Sequence, residues 1–321
     1  MVFDRSRMVM WICGLVVFSL QASDNWQLAS AQEKIALRYQ FAEGDEFNVQ
    51  LGQVTTIQSD LNKNNIESTE DVTVWMNWKV DSIKSGNATM TWKFNRVKSR
   101  FSTIKKTRES SESPIPDVVE FDTDETAEPE KVAARKLWKG VQPLLGQPFQ
   151  VVMNDRGQVE SVTIPDDTME VLRNFSGSMR VRRLMTDDGI REILGQTACI
   201  FPEQEVAKGE GWSFDREFEI AGGQVQQKST YTFQGASESE SGNGLLVEVK
   251  AQSDLNSTVD DGRPRLEILE QDCSGQLWLD EETNIVTSGK VTSNMKTVSP
   301  YRNMQIKAEM STELTIAIQK Q

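Results

Sequence analysis

The chain has 321 residues, with 35 Lys and Arg against 48 Asp and Glu, a formal charge of −13, and no histidine. The missing imidazole excludes Ser-His and Cys-His catalysis, a histidine switch near neutral pH, and His-ligated zinc or haem. The acidic balance argues against a nucleic-acid partner, while 37% hydrophobic residues are enough to build a core.

Arg5 and Arg7 precede an apolar run from Met8 to Leu20 that gives way to polar sequence. As a helix this run spans about 20 Å, short of a hydrocarbon core of about 30 Å. It therefore reads as a signal peptide, with Ala29-Ser30-Ala31 as the small-x-small cleavage site and residues 1–31 removed. Cleavage nearer Ala22 and an uncleaved anchor are the alternatives. Cys13 lies behind Met10, Trp11 and Ile12, which is not a lipidation motif. An exported product, periplasmic or extracellular, is expected, with no membrane span in the mature chain.

Long alternating strands follow. Val74, Met76, Trp78 and Val80 share one strand face, and Ser85-Gly86-Asn87 turns the chain into Met90, Trp92 and Phe94 at the same period. The basic stretch Arg96, Lys98, Arg100, Lys105, Lys106 and Arg108 comes next. Residues 108–130, rich in acids, Ser and Pro, read as a mobile loop able to fold back over it. Ala133, Leu137, Trp138, Val141, Leu144 and Leu145 have helical spacing, with Gly146 as the stop. Asn154-Asp155-Arg156-Gly157 makes a turn. Asp166 or Asp167 caps a short helix, and Asp187 caps another through Ile190, Ile193 and Leu194.

Strands resume around Leu245, Val247 and Val249, then from Leu266 to Leu279 and from Ile285 to Val298. The last runs through Ile306, Ala308, Met310, Thr312, Leu314, Ile316 and Ile318. One apolar and one wet face is the pattern of an antiparallel sheet covered on one side. The expected fold is α+β: a long, curved antiparallel sheet with two or three helices on its apolar face, in one domain over residues 32–321.

Several phrases together resemble an uncharacterised family of exported bacterial proteins, of the planctomycete type. They are Leu37-Arg38-Tyr39-Gln40-Phe41, Asp155-Arg156-Gly157-Gln158-Val159, Phe201-Pro202, Gly209-Glu210-Gly211-Trp212 and Gly275-Gln276-Leu277-Trp278-Leu279-Asp280. A more distant resemblance, at the level of the fold, is to the LolA/LolB-type lipoprotein carriers, which implies a curved, unclosed barrel holding acyl chains.

Catalytic candidates are few. Ser102-Thr103-Ile104-Lys105 and Ser293-Asn294-Met295-Lys296 spell S-x-x-K, but on strands that spacing puts the two side chains on opposite faces. Asp122-Thr123-Asp124-Glu125 lacks the spacing and glycine of an EF-hand loop, and no phosphate-binding glycine motif occurs. No enzyme activity, cofactor or metal is expected. Cys199 and Cys273, an even pair in an oxidising compartment, suggest a disulfide, with two separately buried thiols as the alternative. Trp78, Trp92, Phe94, Trp138, Phe149 and Trp212 are candidates to line an apolar pocket between sheet and helices. Arg180, Arg182 and Arg183 form a compact cluster for an anion or lipid headgroup. The sequence thus points to a non-catalytic envelope protein that binds a hydrophobic ligand, a lipid or acyl chain. A structural or protein-interaction module of the envelope is the second reading.

Overall fold

Nearly all the alternating segments become strands of one antiparallel sheet. The computed structural model describes residues 33–61, 64–107, 115–174, 199–220, 223–239, 242–256, 267–301 and 304–321. The expected signal peptide, the helix at Asp187 and the Arg180, Arg182, Arg183 cluster lie outside these residues.

The strands are β1 (Glu46–Leu61), β2 (Asn64–Lys84), β3 (Asn87–Thr107), β4 (Asp117–Asp122), β5 (Pro148–Met153), β6 (Val159–Thr163), β7 (Gly211–Ile220), β8 (Gly223–Ser239), β9 (Gly242–Asn256), β10 (Glu267–Leu279), β11 (Val286–Tyr301) and β12 (Met304–Lys320). Their order across the sheet is β6-β5-β3-β2-β1-β12-β11-β10-β9-β8-β7, with β4 pairing a separate stretch of β3. The first and last strands therefore meet in the middle, Phe47 opposite Lys320 and Asp60 opposite Lys307. β2 and β3 have 21 residues each, roughly 70 Å of extended chain. The turn between them is Ser85-Gly86, both at positive φ (51° and 84°), the mirror-image geometry that suits a twisted two-residue hairpin.

Eleven strands laid flat would separate β6 from β7 by roughly 48 Å. Both flanks nevertheless reach the same short segment. Arg156, in the β5–β6 turn, accepts through its carbonyl from Phe201 N at 2.9 Å, and Trp212 Nε1 of β7 donates to the carbonyl of Ile200 at 2.6 Å. The sheet must therefore curl until its edges almost meet, helped by register shifts at Trp75/Met76, Val80/Ser82 and Phe233/Gly235. Closure comes from a strap. Residues 33–41 pair with 199–206 through both Ile35–Val206 backbone bonds, 3.0 and 2.9 Å long. Tyr39 N donates to Asp155 O at 2.7 Å and Gln40 N to Thr283 O at 2.8 Å, joining the strap to two distant turns. The Tyr39 hydroxyl donates to Cys199 O and accepts from Cys199 N, each at 3.0 Å. Arg38 adds Nη bonds to the carbonyls of Pro202 and Glu203.

The core fills the end of the curl where the strap lies. Phe47, Met76, Trp78, Met90, Trp92, Phe149 and Val247 on the strands pack there with Leu37, Tyr39 and Phe201 of the strap. The alternation read from β2, β3 and β12 is that of this concave face.

The expected α+β arrangement is not found. Among the described residues the helices are short: α1 (Val132–Val141) and α2 (Asp166–Asn174). α1 packs on β4 and the 3-10 turn Gln142–Leu144, and α2 packs on that same turn. The apolar face is covered instead by the strap and by the sheet's own curvature. One-sided alternation reports that a face is buried, and it is silent on what buries it.

The mobile acidic loop expected at 108–130 is also corrected. Asp117–Asp122 is strand β4, paired with Lys98–Thr103 of β3, while 108–114 lies outside the described residues. Arg96 grips Asp122 through two bonds, Nε at 2.9 Å and Nη2 at 2.6 Å, and stacks on the Trp75 ring. Glu120 stands opposite Arg100. Complementary charge turns the fold-back into a strand pairing.

Two measurements follow from the strap and from β4. Gly157 has φ +87°, and a Cβ there would lie 2.6 Å from Tyr39 Cε2 and 2.7 Å from Cys199 O. Gly157→Ala should lower unfolding free energy by roughly 2–4 kcal/mol in denaturant titrations. Asp122 is held below the usual carboxylate range, first by Arg96, then by the Asp124 backbone N–H, against the opposing effect of burial. Its contribution is present above the unfolded pKa of about 4 and is lost as pH falls through the lower folded value. Asp122→Asn should cost about 1–3 kcal/mol at pH 7, and urea melts should show the gap to the parent narrowing below about pH 4.

Candidate functional site

Of the six aromatic residues expected to line a pocket, the structure brings four together. Trp78 and Trp92 stack with centroids 3.9 Å apart and planes 13° from parallel. Phe94 and Phe149 meet edge to face at 5.5 Å. All four are at most 6% exposed, so their faces are occupied by one another and by the surrounding core. Trp212 sits on the other flank of the curl, stacked on Tyr231, and Trp138 is half-buried on α1, outside this cluster. The indole N–H groups of Trp78 and Trp92 are buried without a hydrogen-bond partner. These rings fill the strap end rather than surround a cavity.

Cys199 and Cys273 are both free thiols, which corrects the expected disulfide. Cys199 is pinned in the strap by Tyr39, whereas Cys273 lies within β10 opposite Ser293 of β11. Burial pushes both thiols up, Cys199 far above its ordinary value, so neither is a nucleophile near neutral pH. Tyr39 is raised by burial and then by Cys199, and Tyr231 chiefly by burial. The two S-x-x-K sequences lie in β3 and β11, as expected on strands. Among the described residues no group of three or more Cys, Asp or Glu is placed to hold a metal ion.

Beyond the core the strands continue, and their two faces differ sharply. On the concave side one cross-strand row is Thr103, Ser68, Ile57, Met310, Met295 and Gln271. The next is Phe101, Glu70, Thr55, Thr312, Ser293 and Cys273. Hydroxyl side chains share these rows with Ile57, the two methionines and Phe101, and with the polar Gln271 and Glu70; Thr55 and Thr312 bond to each other at 3.2 Å. The apolar members remain accessible: Ile57 is 37% and Phe101 39% exposed, and both methionines are half-buried.

The convex side carries charge. One row there runs Glu67, Gln58, Glu309, Lys296 and Glu270. A shallow recess of about 330 Å³ opens over this row, with Thr56 and Asp272 at its margin. Lys296 Nζ lies 2.6 Å from Glu270, and that bond, with Glu309 nearby, raises its pKa. The recess is a solvated, paired surface.

The concave rows are what sequence reasoning missed. Their signal was present in Ile306, Ala308, Met310 and Thr312, whose small and hydroxyl members mark a face with room rather than a packed core. The strap was missed as well, although Leu37–Phe41, Asp155–Val159 and Phe201-Pro202 had stood out as phrases.

Residues 102–286, more than half the chain, match the model of a family of unknown function (DUF6263). No curated protein matches the chain. Among solved structures, an outer membrane channel from Pseudomonas putida F1 aligns at 7% identity over 88% of this chain and 97% of that one, with a TM-score of 0.19. The translocator domain of the autotransporter NalP from Neisseria meningitidis aligns at 5% identity over 85% and 88%, with a TM-score of 0.16. Scores this low carry no argument about this chain.

The thiol geometry makes a direct prediction. Without reductant, both Cys199 and Cys273 should take up iodoacetamide once the protein is unfolded in urea. In the native state at pH 7.5, Cys199 should stay unlabelled on mass spectrometry, because its thiolate is suppressed by burial.

Proposed function

The chain belongs to that family of unknown function, and from that premise we propose that it is an exported, non-catalytic envelope protein that binds an amphipathic ligand. The apolar part of the ligand, a lipid or acyl chain, lies on the concave face beyond the core. The observation that carries this reading is the contrast between the two faces of the same strands. Ile57, Met310, Met295 and Phe101 stand among hydroxyl groups, with Glu70 in the same rows, and stay accessible. A concave, mostly uncharged lining with a few polar groups suits a ligand with a long apolar part. Methionine adapts its shape to such a ligand at little cost.

The convex face bears on where this happens. Glu309, Lys296, Glu270 and Arg100 stand on it, and strands that face hydrocarbon do not carry such a density of charge. No described helix is long and apolar enough to cross a membrane. A protein wet on its outside and apolar within would keep the ligand from water between two membranes or surfaces. The basic Arg180, Arg182 and Arg183 belong to this reading as candidates for a headgroup contact.

The test uses delipidated protein and a fluorescent fatty acid. Met310→Asp places a carboxylate in the concave row and should weaken binding at least tenfold, since an unpaired charge in an apolar contact costs more than about 1.4 kcal/mol. Glu309→Ala, one residue away on the convex face, should leave the affinity unchanged. Equal effects from the two variants, or no saturable binding by the parent protein, would overturn the proposal.

A further inference from the structure

β7 ends the sheet on one side. Its backbone, Gly211–Ile220, pairs with β8 in unbroken register, and no described strand follows it on the other side. Among the described residues no strand pairs with its outer side, which runs roughly 33 Å over 10 residues away from the strap held at Trp212. Edge strands are ordinarily guarded by shortness, a bulge or a proline. The opposite edge follows that rule, since β4 has 6 residues and β6 has 5. β7 is longer, contains no proline, and shows no bulge against β8.

The side chains of β7 sort by face. Trp212, Phe214 and Arg216 are half-buried on the concave side. Trp212 is stacked on Tyr231, and Arg216 Nε donates to Gln227, so both are held back toward β8. Ser213, Asp215 and Glu217 are exposed on the convex side. A strand laid along this edge would set its alternate residues beside Asp215, which faces Lys228 across the β7–β8 ladder, and Glu217, which faces Gln226; two carboxylates against one cation leave opposite charge favoured there and like charge not. A second copy of β7, antiparallel, would bring the same acids together, and the net charge of −13 opposes that approach further. The charge complementarity points to a basic partner.

We propose that the free edge of β7 is a docking site for an extended basic peptide segment, bound by strand addition. Its backbone pairs with Gly211–Ile220, its alternate Lys or Arg side chains meet Asp215 and Glu217, and its intervening apolar residues extend the concave face beside Phe214. The overall negative field draws such a segment in at low ionic strength. This site is independent of the concave ligand.

Three labelled ten-residue peptides serve as probes: alternating Lys and Val, the same peptide with a central proline, and alternating Glu and Val. Fluorescence anisotropy at low salt should show the Lys-Val peptide binding at least tenfold tighter than either of the others. Amide hydrogen exchange of the intact protein should then slow in β7 and not in β4 or β6. Asp215→Asn with Glu217→Gln keeps the shape and should weaken the Lys-Val peptide about tenfold. Asp215→Lys with Glu217→Lys should transfer the preference to the Glu-Val peptide, thermal melts confirming the fold of each variant. Equal affinity for the proline-interrupted peptide would mean charge attraction without strand pairing, and would overturn the proposal. Protection on other strands, or β7 amides already fully protected in the protein alone, would overturn it too.

Discussion

The hydrogen-bonded strap between the two flanks of the sheet is the constraint on which the rest of this molecule depends. A row of eleven strands with one apolar face has more surface to hide than the two short helices among the described residues can cover. Here the edges are drawn together by main-chain bonds to residues 33–41 and 199–206, with the Tyr39 hydroxyl bound to both the N–H and the carbonyl of Cys199. A loop running through a buried end must satisfy its own polar backbone. Tyr39 N, Gln40 N and Phe201 N do so by bonding to turns from different parts of the sheet. The bonds that make the loop tolerable inside are thus the same ones that hold the curl closed. Gly157 belongs to this arrangement, because its missing Cβ is what lets the β5–β6 turn approach Tyr39 and Cys199.

Closure at one end divides the sheet into two regions of different physics. At the strap end aromatic rings pack against each other and leave nothing to bind. Further along the same strands the concave face changes to threonine, serine, methionine and isoleucine, and it stays accessible. The convex face carries Lys and Glu beside Val54 and Trp75, in pairs such as Lys290–Glu313 and Lys296–Glu270. Exposed pairs of this kind add little stability; their consequence is solubility, because they keep the outside of the curl wet.

Much of the secondary structure was legible. Met76, Trp78 and Val80 predicted the buried face of β2, Ser85-Gly86 its hairpin, and the run from Ile306 to Ile318 the last strand, because period-two alternation records burial residue by residue. The helix read from Ala133 to Leu145 was legible in part, from spacing at 3.6: α1 ends at Val141 and Gln142–Leu144 tightens into a 3-10 turn, with Pro143 within it. Legibility failed wherever the partner lay far along the chain. Asp122 looked like part of a solvated acidic tract, and only Arg96, across the β3–β4 ladder, makes it buried and ordered. Cys199 and Cys273 looked like a pair because a sequence counts thiols without placing them; one belongs to the strap and the other to a strand of the sheet. Of the six aromatic residues grouped from the sequence, Trp78, Trp92, Phe94 and Phe149 meet while Trp138 and Trp212 lie elsewhere, and whether large rings line a space or fill it depends on how many neighbours meet there.

What the sequence determined by itself, then, is local: which residues alternate, where the chain turns, that the absent histidine removes a whole class of catalysis, and that most strands have one wet face. These follow from interactions between near neighbours and from composition, so they are readable without coordinates. The tertiary structure alone decided that the apolar face closes on itself rather than under helices. It also decided that the phrases at Tyr39, Arg156 and Phe201 are one junction, and that among the described residues no strand pairs with the outer side of β7. The reason is that curvature is a sum of small twists and shifts over many strands, resolved by a few long-range bonds. No stretch of chain short enough to show a pattern contains that sum.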